Sequence, residues 1–391
     1  MQGIRFAPRL AALVVAAFAI VPPAIAQVAP PAQAAPPAAL DAASFERGAR
    51  SRLDALRAVK PGGDAALLEA NNKMMDEAWK YFDANRARAL PLLRAELAAE
   101  TGKADRNNLV LLGVGFYLYT HGDRADREPA RAAFFAIDPD APIVRWNLEQ
   151  YFFFAHAIAG EHDARILPLI DRAFLDKKVP LVIPEYALNL DPGLVCMFLY
   201  GAYGPDSEAH LVPFLKDPAR VRRALEVLIW IGSPADNAAV VEALKTNRDP
   251  EVFGRASAFL MQSGGPDGRK IMLELDPTQL DPKTADFYSK ARPHIEAISA
   301  QWYRGLFERF GGATTIPDAE LRKRIAALKA GRGRDESLSP RAIFASAVAR
   351  DELISGLVAA RFAMLSNIYD QALDDVRTTN MVINGLRFRD H

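Results

Sequence analysis

From Asp41 onward, apolar residues return every three or four positions almost without interruption, the spacing that lines one face of an α-helix. Phe45, Leu53 and Leu56 mark a first helix, which Pro61-Gly62-Gly63 stops. Leu67 to Phe82 and Ala87 to Ala99 form two more, and Asn108 to Tyr119 is apolar enough to be buried on several sides. No stretch sustains the period-two alternation and β-branched enrichment of a strand. The pattern predicts an all-α protein.

Part of this pattern matches itself at an offset of 32 residues. Asp217-Pro218 returns as Asp249-Pro250, Arg223-Ala224 as Arg255-Ala256, Leu228 as Leu260, Gly232 as Gly264 and Pro234 as Pro266. Val240 and Val241 are matched by Met272 and Leu273. A fixed period that aligns breakers and core positions together is the mark of stacked repeats. Each copy reads as a helical hairpin. Asp-Pro opens the first helix, because Asp accepts from free N–H groups and Pro has none to leave unpaired. Val221, Ala224, Leu225, Leu228 and Ile229 make its apolar face, and Gly232 is expected to end it in a left-handed conformation. Asp236 is expected to cap a second helix, whose Val240, Val241 and Leu244 pack back. Less regular copies lie upstream, with turns at Gly160–Asp163 and Gly204–Asp206 and first helices over Pro142–Ala159 and Pro192–Tyr200. All six Asp-Pro pairs lie between 138 and 282, which brackets the repeats.

Asp217-Pro218-x-x-Val221-Arg222-Arg223-Ala224-Leu225, with Leu228, Gly232 and Asp236, resembles a HEAT repeat of the short, phycobilisome-lyase-like kind, and Asp249 to Asp267 resembles it again. Toward the N-terminal side, Ala130 to Pro139 also resembles the second helix of a tetratricopeptide repeat. The resemblance implies a right-handed α-solenoid of HEAT-like hairpins with additional N- and C-terminal helices. It implies a protein-binding scaffold with no shared active site. The expected organisation is a helical region over 41–137, a solenoid over 138–280 and a helical cap over 281–391. Partner contacts are expected on polar residues of the second helices: Arg165, Arg172, His210, Asn237, Glu242, Arg269 and Lys270.

Beyond Leu280 the repeat is lost. Asp281-Pro282 opens a helix toward Phe310, interrupted at Pro293. Pro317 to Ala330 reads as a basic amphipathic helix, Gly331 to Arg334 as a link, and Ser339-Pro340 as the start of a long helix through Leu365 and Ile368. That helix is expected to close the solenoid or dock along it, since terminal repeats need a cover.

The first 26 residues carry Arg5 and Arg9, an apolar run from Leu10 to Val21, and Ala24-Ile25-Ala26 before Gln27. This is the layout of a signal peptide cut after Ala26, which predicts a periplasmic or secreted protein. Residues 27–40 are Pro/Ala-rich and have too few bulky side chains to bury a core, the composition of a disordered spacer. No transmembrane segment is expected in the mature chain. Lys+Arg and Asp+Glu both number 48, so the concentrated positive charge that nucleic acid requires is missing. The single cysteine, Cys196, has apolar neighbours and reads as a small core residue.

No HExxH, CxxC, GxSxG or P-loop pattern is present, and no catalytic residue or cofactor is expected. His156, His162 and Asp163 are the candidate metal ligands, and a site near His156 and His162 is the alternative, enzymatic reading. His121-Gly122-Asp123 with Asp126 could hold a cation, but the position after an apolar helix reads first as a solvated turn. Trp146, Tyr151 to Phe154, Phe134 and Phe135 could line a groove for a small molecule or glycan, although aromatic residues at this spacing are usually core.

Overall fold

The computed structural model describes residues 41–62, 65–178, 180–183, 188–293, 295–296, 317–329, 348–366 and 372–388. The expected leader, the spacer, the Gly331–Arg334 link and the Ser339-Pro340 helix start lie outside these residues. So do residues 297–310 of the helix expected to reach Phe310, and Ile368. Among the described residues the fold is all-α but for one short ribbon, and no described helix is long and apolar enough to cross a membrane. Two compact units divide the described residues, one ending at Ile158 and one from Ala159 onward.

In the N-terminal unit the helices are α1 (Ala42–Ala58), α2 (Ala65–Ala84), α3 (Arg86–Thr101), α4 (Asn108–His121), α5 (Arg127–Phe135), α6 (Pro142–Trp146) and most of α7 (Leu148–Ala159). Helix α4 is the hub, packed against α1, α3, α5 and α6. Its Leu109 to Val114 are buried all round, as its sequence requires. Gly113 lies so close to the Trp79 ring that a Cβ there would collide with it. Phe134 stacks on Tyr151 with centroids 4.9 Å apart and meets Phe154 edge-on at 4.8 Å.

From Ala159 the chain runs through α8 (Ile166–Ile170), a π-helical turn (Asp171–Leu175) and an antiparallel ribbon of β1 (Leu181–Ile183) and β2 (Leu188–Leu190), with Leu181 opposite Leu190. The ribbon corrects the strand-free expectation. Pro184 and Pro192 push the residues before them, Ile183 and Asp191, to extended geometry.

Then follow α9 (Pro192–Tyr203), α10 (Asp206–Leu211), α11 (Val221–Ile231), α12 (Asn237–Thr246), α13 (Pro250–Gln262) and α14 (Gly265–Glu274). All six Asp-Pro carboxylates accept from a backbone N–H two or three residues on, at 2.8–3.2 Å. First helices α9, α11 and α13 pack in succession. The two copies agree position by position: Val240 and Met272 are fully buried, while Val241 and Leu273 are half-buried.

The duplicated arginines also find a purpose. Glu226 accepts from Arg223 within its own copy and from Arg255 Nε of the next, at 2.7 Å for the latter. Glu251 accepts from Arg222 of the preceding copy. This ladder crosses from helix to helix on a half-exposed face.

Gly232 departs from expectation. Its φ of −71° is not left-handed. A Cβ there would lie 2.6 Å from the Leu228 carbonyl and 2.7 Å from the Phe259 ring, so close approach of the next copy is what demands glycine. Asp236 likewise bonds backward, its Oδ2 accepting from Ser233 N at 3.2 Å in a capping box, rather than capping α12 forward.

A further helix occupies 282–293, and Tyr288 Oη donates to the Met272 carbonyl at 2.6 Å. The last three described helices are α15 (Asp318–Lys329), α16 (Arg350–Leu365) and α17 (Ala372–Phe388). The basic face of α15 is partly paired within the fold: Arg322 reaches Glu352 of α16 at 2.6 Å. Helix α17 was not distinguished in the sequence pattern. With α16 it grips the C-terminal ends of the first helices. Ser366 Oγ donates to Ala202 O of α9 at 3.5 Å, Arg361 to Ile231 O of α11 at 2.5 Å, Asn380 Nδ2 to Trp230 O at 3.0 Å, and Arg387 to Ser263 O after α13 at 2.9 Å. These carbonyls have no partner within their own helices, and cations are favoured at helix C-termini. The pair therefore docks along the repeats.

Candidate functional site

A polar arrangement that remains partly open to solvent centres on His210. It rests on three elements of the C-terminal unit. Asp171 opens the π-helical turn, where Asp176 N donates to the Asp171 carbonyl at 2.9 Å across five residues. Such turns recur at functional sites because they rotate one side chain out of helical register. The Asp171 carboxylate accepts from the Tyr200 hydroxyl of α9 and from His210 Nε2 of α10, 3.0 Å from each oxygen. Burial, and then the neighbouring carboxylate, hold the Tyr200 phenol far above its ordinary range, so it stays a donor. Nδ1 of His210 has no hydrogen-bond partner among the described residues, and the side chain is 24% exposed.

Beside the imidazole, Phe214 presents its ring edge-on with centroids 5.2 Å apart. Arg220 lies 4.6 Å over the Phe214 ring and is held bidentate by Asp176 at 2.7 and 2.8 Å. A fixed, solvent-edged imidazole beside an aromatic ring and a clamped guanidinium can bind, or can exchange a proton at Nδ1. Sequence reasoning singled out His210 but missed Asp171 and Tyr200. The available signal was an acid directly following the apolar Ile166 to Ile170.

The other expected contact residues divide. Arg172, Glu242 and Lys270 are exposed, and Arg269 is half-buried. Arg165 is exposed and engages Asp163, two residues away, at 2.6 Å. Asn237 is a correction: it is buried, and its Nδ2 donates to the Gly264 carbonyl at 2.9 Å, tying the two copies together. It starts α12 where the following copy comes closest, so it faces inward.

The candidate metal cluster does not form. Among the described residues no three His, Cys, Asp or Glu side chains are placed to hold a metal. His156 is buried. His162 has a φ of +58° and donates through Nδ1 to the Tyr203 carbonyl. Nor do Tyr151 to Phe154 line an open groove; all four are core. Cys196 is fully buried, and burial pushes its thiol up, away from the reactive thiolate.

In the N-terminal unit Asp123 and Asp126 hold a cation of the chain itself. Arg94 Nε donates to Asp126 Oδ1 at 2.6 Å, and its Nη2 to Asp126 and Asp123, both at 2.7 Å. The guanidinium holds the Asp126 carboxyl below its ordinary range, and the carboxylates hold Arg94 above its own. A largely apolar cleft of about 500 Å³ opens beside this clamp, lined by Leu97, Ala98, Leu118, Pro129 and Ala132. Comparison with protein-family models, curated proteins and solved structures finds no match for this chain.

Proposed function

We propose that the chain is an exported, non-enzymatic scaffold that binds a protein partner in the bacterial envelope through its HEAT-like repeats. One observation carries this reading. The helix pair α16–α17 occupies the C-terminal ends of the first helices, while polar side chains on and near the second helices, Arg172, Glu242 and Lys270 among them, stay exposed. Stacked hairpins commonly bind along such a face. His210, with Phe214 beside it, supplies a half-open anchor of the kind found at interface centres. Charge reversal of Arg172, Glu242 and Lys270 together should cut capture of an envelope partner at least tenfold, the order of a few lost contacts, without lowering the melting temperature. Capture at the wild-type level would sink the reading.

A second reading rests on the Asp171–His210 pair and moves the enzymatic alternative away from His156 and His162. A carboxylate that orients an imidazole is half of an acid–base device. Loss of a hydrolytic or proton-transfer activity in His210→Ala, with partner capture intact, would favour it.

A further inference from the structure

A neutral imidazole carries one ring hydrogen, and a carboxylate can only accept. His210 Nε2 lies 3.0 Å from both oxygens of Asp171, so in the neutral ring the hydrogen sits on Nε2. Nδ1 then keeps its lone pair and is an acceptor. The surroundings hold that orientation. Tyr200 flanks the ring with centroids 6.0 Å apart, Phe214 meets it edge-on at 5.2 Å, and the Tyr200 hydroxyl fixes Asp171 in turn.

The opposite kind of group shares the Phe214 ring. Arg220 spends Nε and Nη2 on Asp176 at 2.8 and 2.7 Å, which leaves Nη1 without a partner among the described residues. The Arg220 and His210 side chains are 30% and 24% exposed, and neither Nη1 nor Nδ1 is a buried atom. One open acceptor and one open donor thus flank a single aromatic ring, each pinned by a carboxylate. The imidazole centroid and the guanidinium carbon lie 5.2 and 4.6 Å from the Phe214 centroid. Two or three residues of extended chain, rising about 3.3 Å each, cover the reach between them.

Charge narrows the choice of ligand. Asp176 already neutralises Arg220, and Asp217 lies 3.8 Å from its Nε, so an added anion gains little. A cation at Nδ1 would face the Arg220 guanidinium across the Phe214 ring. A neutral group that both donates and accepts suits the two ends, and the peptide unit is such a group.

We infer that the His210–Phe214–Arg220 site binds an extended main-chain segment of a protein partner, with an N–H donating to His210 Nδ1 and a C=O accepting from Arg220 Nη1. The assignment rests on the scaffold reading above and makes main chain, rather than charged side chains, what the anchor holds. Main-chain hydrogen bonds supply affinity without demanding a particular side chain.

The test is nitrogen NMR of the His210 ring in the full chain at pH 8, above the ordinary histidine range. Nε2 should carry the hydrogen. N-acetylalanine N-methylamide, a neutral probe with two peptide units, should move the Nδ1 resonance saturably, while acetate and methylammonium should not. Arg220→Met should weaken the probe on the order of tenfold, the worth of a hydrogen bond to a charged group. A hydrogen on Nδ1, an imidazolium at this pH, no response to the probe, an equal response to either ion, or undiminished binding in Arg220→Met would overturn the site. The first four results need no variant to fold. The charge reversals at Arg172, Glu242 and Lys270 test the scaffold reading separately. Lost capture there with no probe response here overturns the anchor alone, and unchanged capture with a probe response leaves the anchor standing.

Discussion

Asp126 and Asp236 occupy the same local device and hold opposite charge environments. Each ends a one-turn 3₁₀ helix, Asp123-x-x-Asp126 in one unit and Ser233-x-x-Asp236 in the other. Each accepts from the backbone N–H three residues back, at 2.7 and 3.2 Å. Yet Asp126 meets the Arg94 guanidinium, which lowers its pKa, while Asp236 is buried with no cation bonded to it among the described residues, and burial raises its pKa. Local sequence builds the turn in both places. What arrives from elsewhere in the fold decides whether the carboxyl is a fixed charge or a group poised to exchange a proton.

Four sets of substitutions break or sharpen this comparison. The largest effect is expected from Arg361→Ala, which empties a fully buried site and strips the Ile231 carbonyl and Asn380 of their partner. A loss of about 3 kcal/mol in urea unfolding is expected. Arg361→Met, which refills the volume, should recover much of it.

Next come two glycines, one in each unit. Gly113→Ala drives a methyl into Trp79, and Gly201→Ala drives one into Leu365 of α16. Each should cost about 2 kcal/mol through overpacking. Gly201→Ala should also lower exchange protection in α16 specifically, which Gly113→Ala should not.

Removing either capping-box partner, by Asp123→Ala or Ser233→Ala, should cost about 1 kcal/mol in thermal unfolding. Near-equal losses would support the equivalence of the two turns.

The smallest effects depend on pH and have opposite signs. Asp126 is held low, so its stabilisation exists above the ordinary carboxylate range and disappears as pH falls through the folded value. Arg94→Gln should therefore lower the melting temperature at pH 7 and converge with wild type in strong acid. Glu208 is held high, so wild type loses stability as pH rises from about 4.5 toward about 7. Glu208→Gln should match wild type in acid and exceed it above pH 7, by roughly 1 kcal/mol or less once partial solvent exposure is allowed for.

The sequence carried the helices well because their signals are local. Asp-Pro starts, apolar spacing and the 32-residue self-match all survive as structure. Gly232 was placed correctly but for the wrong reason, since a close approach by Phe259 from the next copy cannot be read from its neighbours in the chain. Asn237 was assigned to the surface on polarity alone, and only the stacking of copies turns it inward. The His210 site joins residues 29 and 39 positions apart, and Arg361 bonds a carbonyl 130 positions away. Nothing in a pattern of apolar spacing reports such pairings. Helix α17 was lost because its apolar face is interrupted by buried polar residues, Thr379 and Asn384.

The most direct test is carboxyl-carbon NMR titration of Asp126, Asp236 and Glu208 in the folded mature chain. The account predicts that Asp126 titrates below the ordinary aspartate value, and that Glu208 and Asp236 titrate as a coupled pair above theirs, with the upper step near pH 7. Matching titrations of Asp126 and Asp236 at the ordinary value, with Glu208 independent of both, would contradict it.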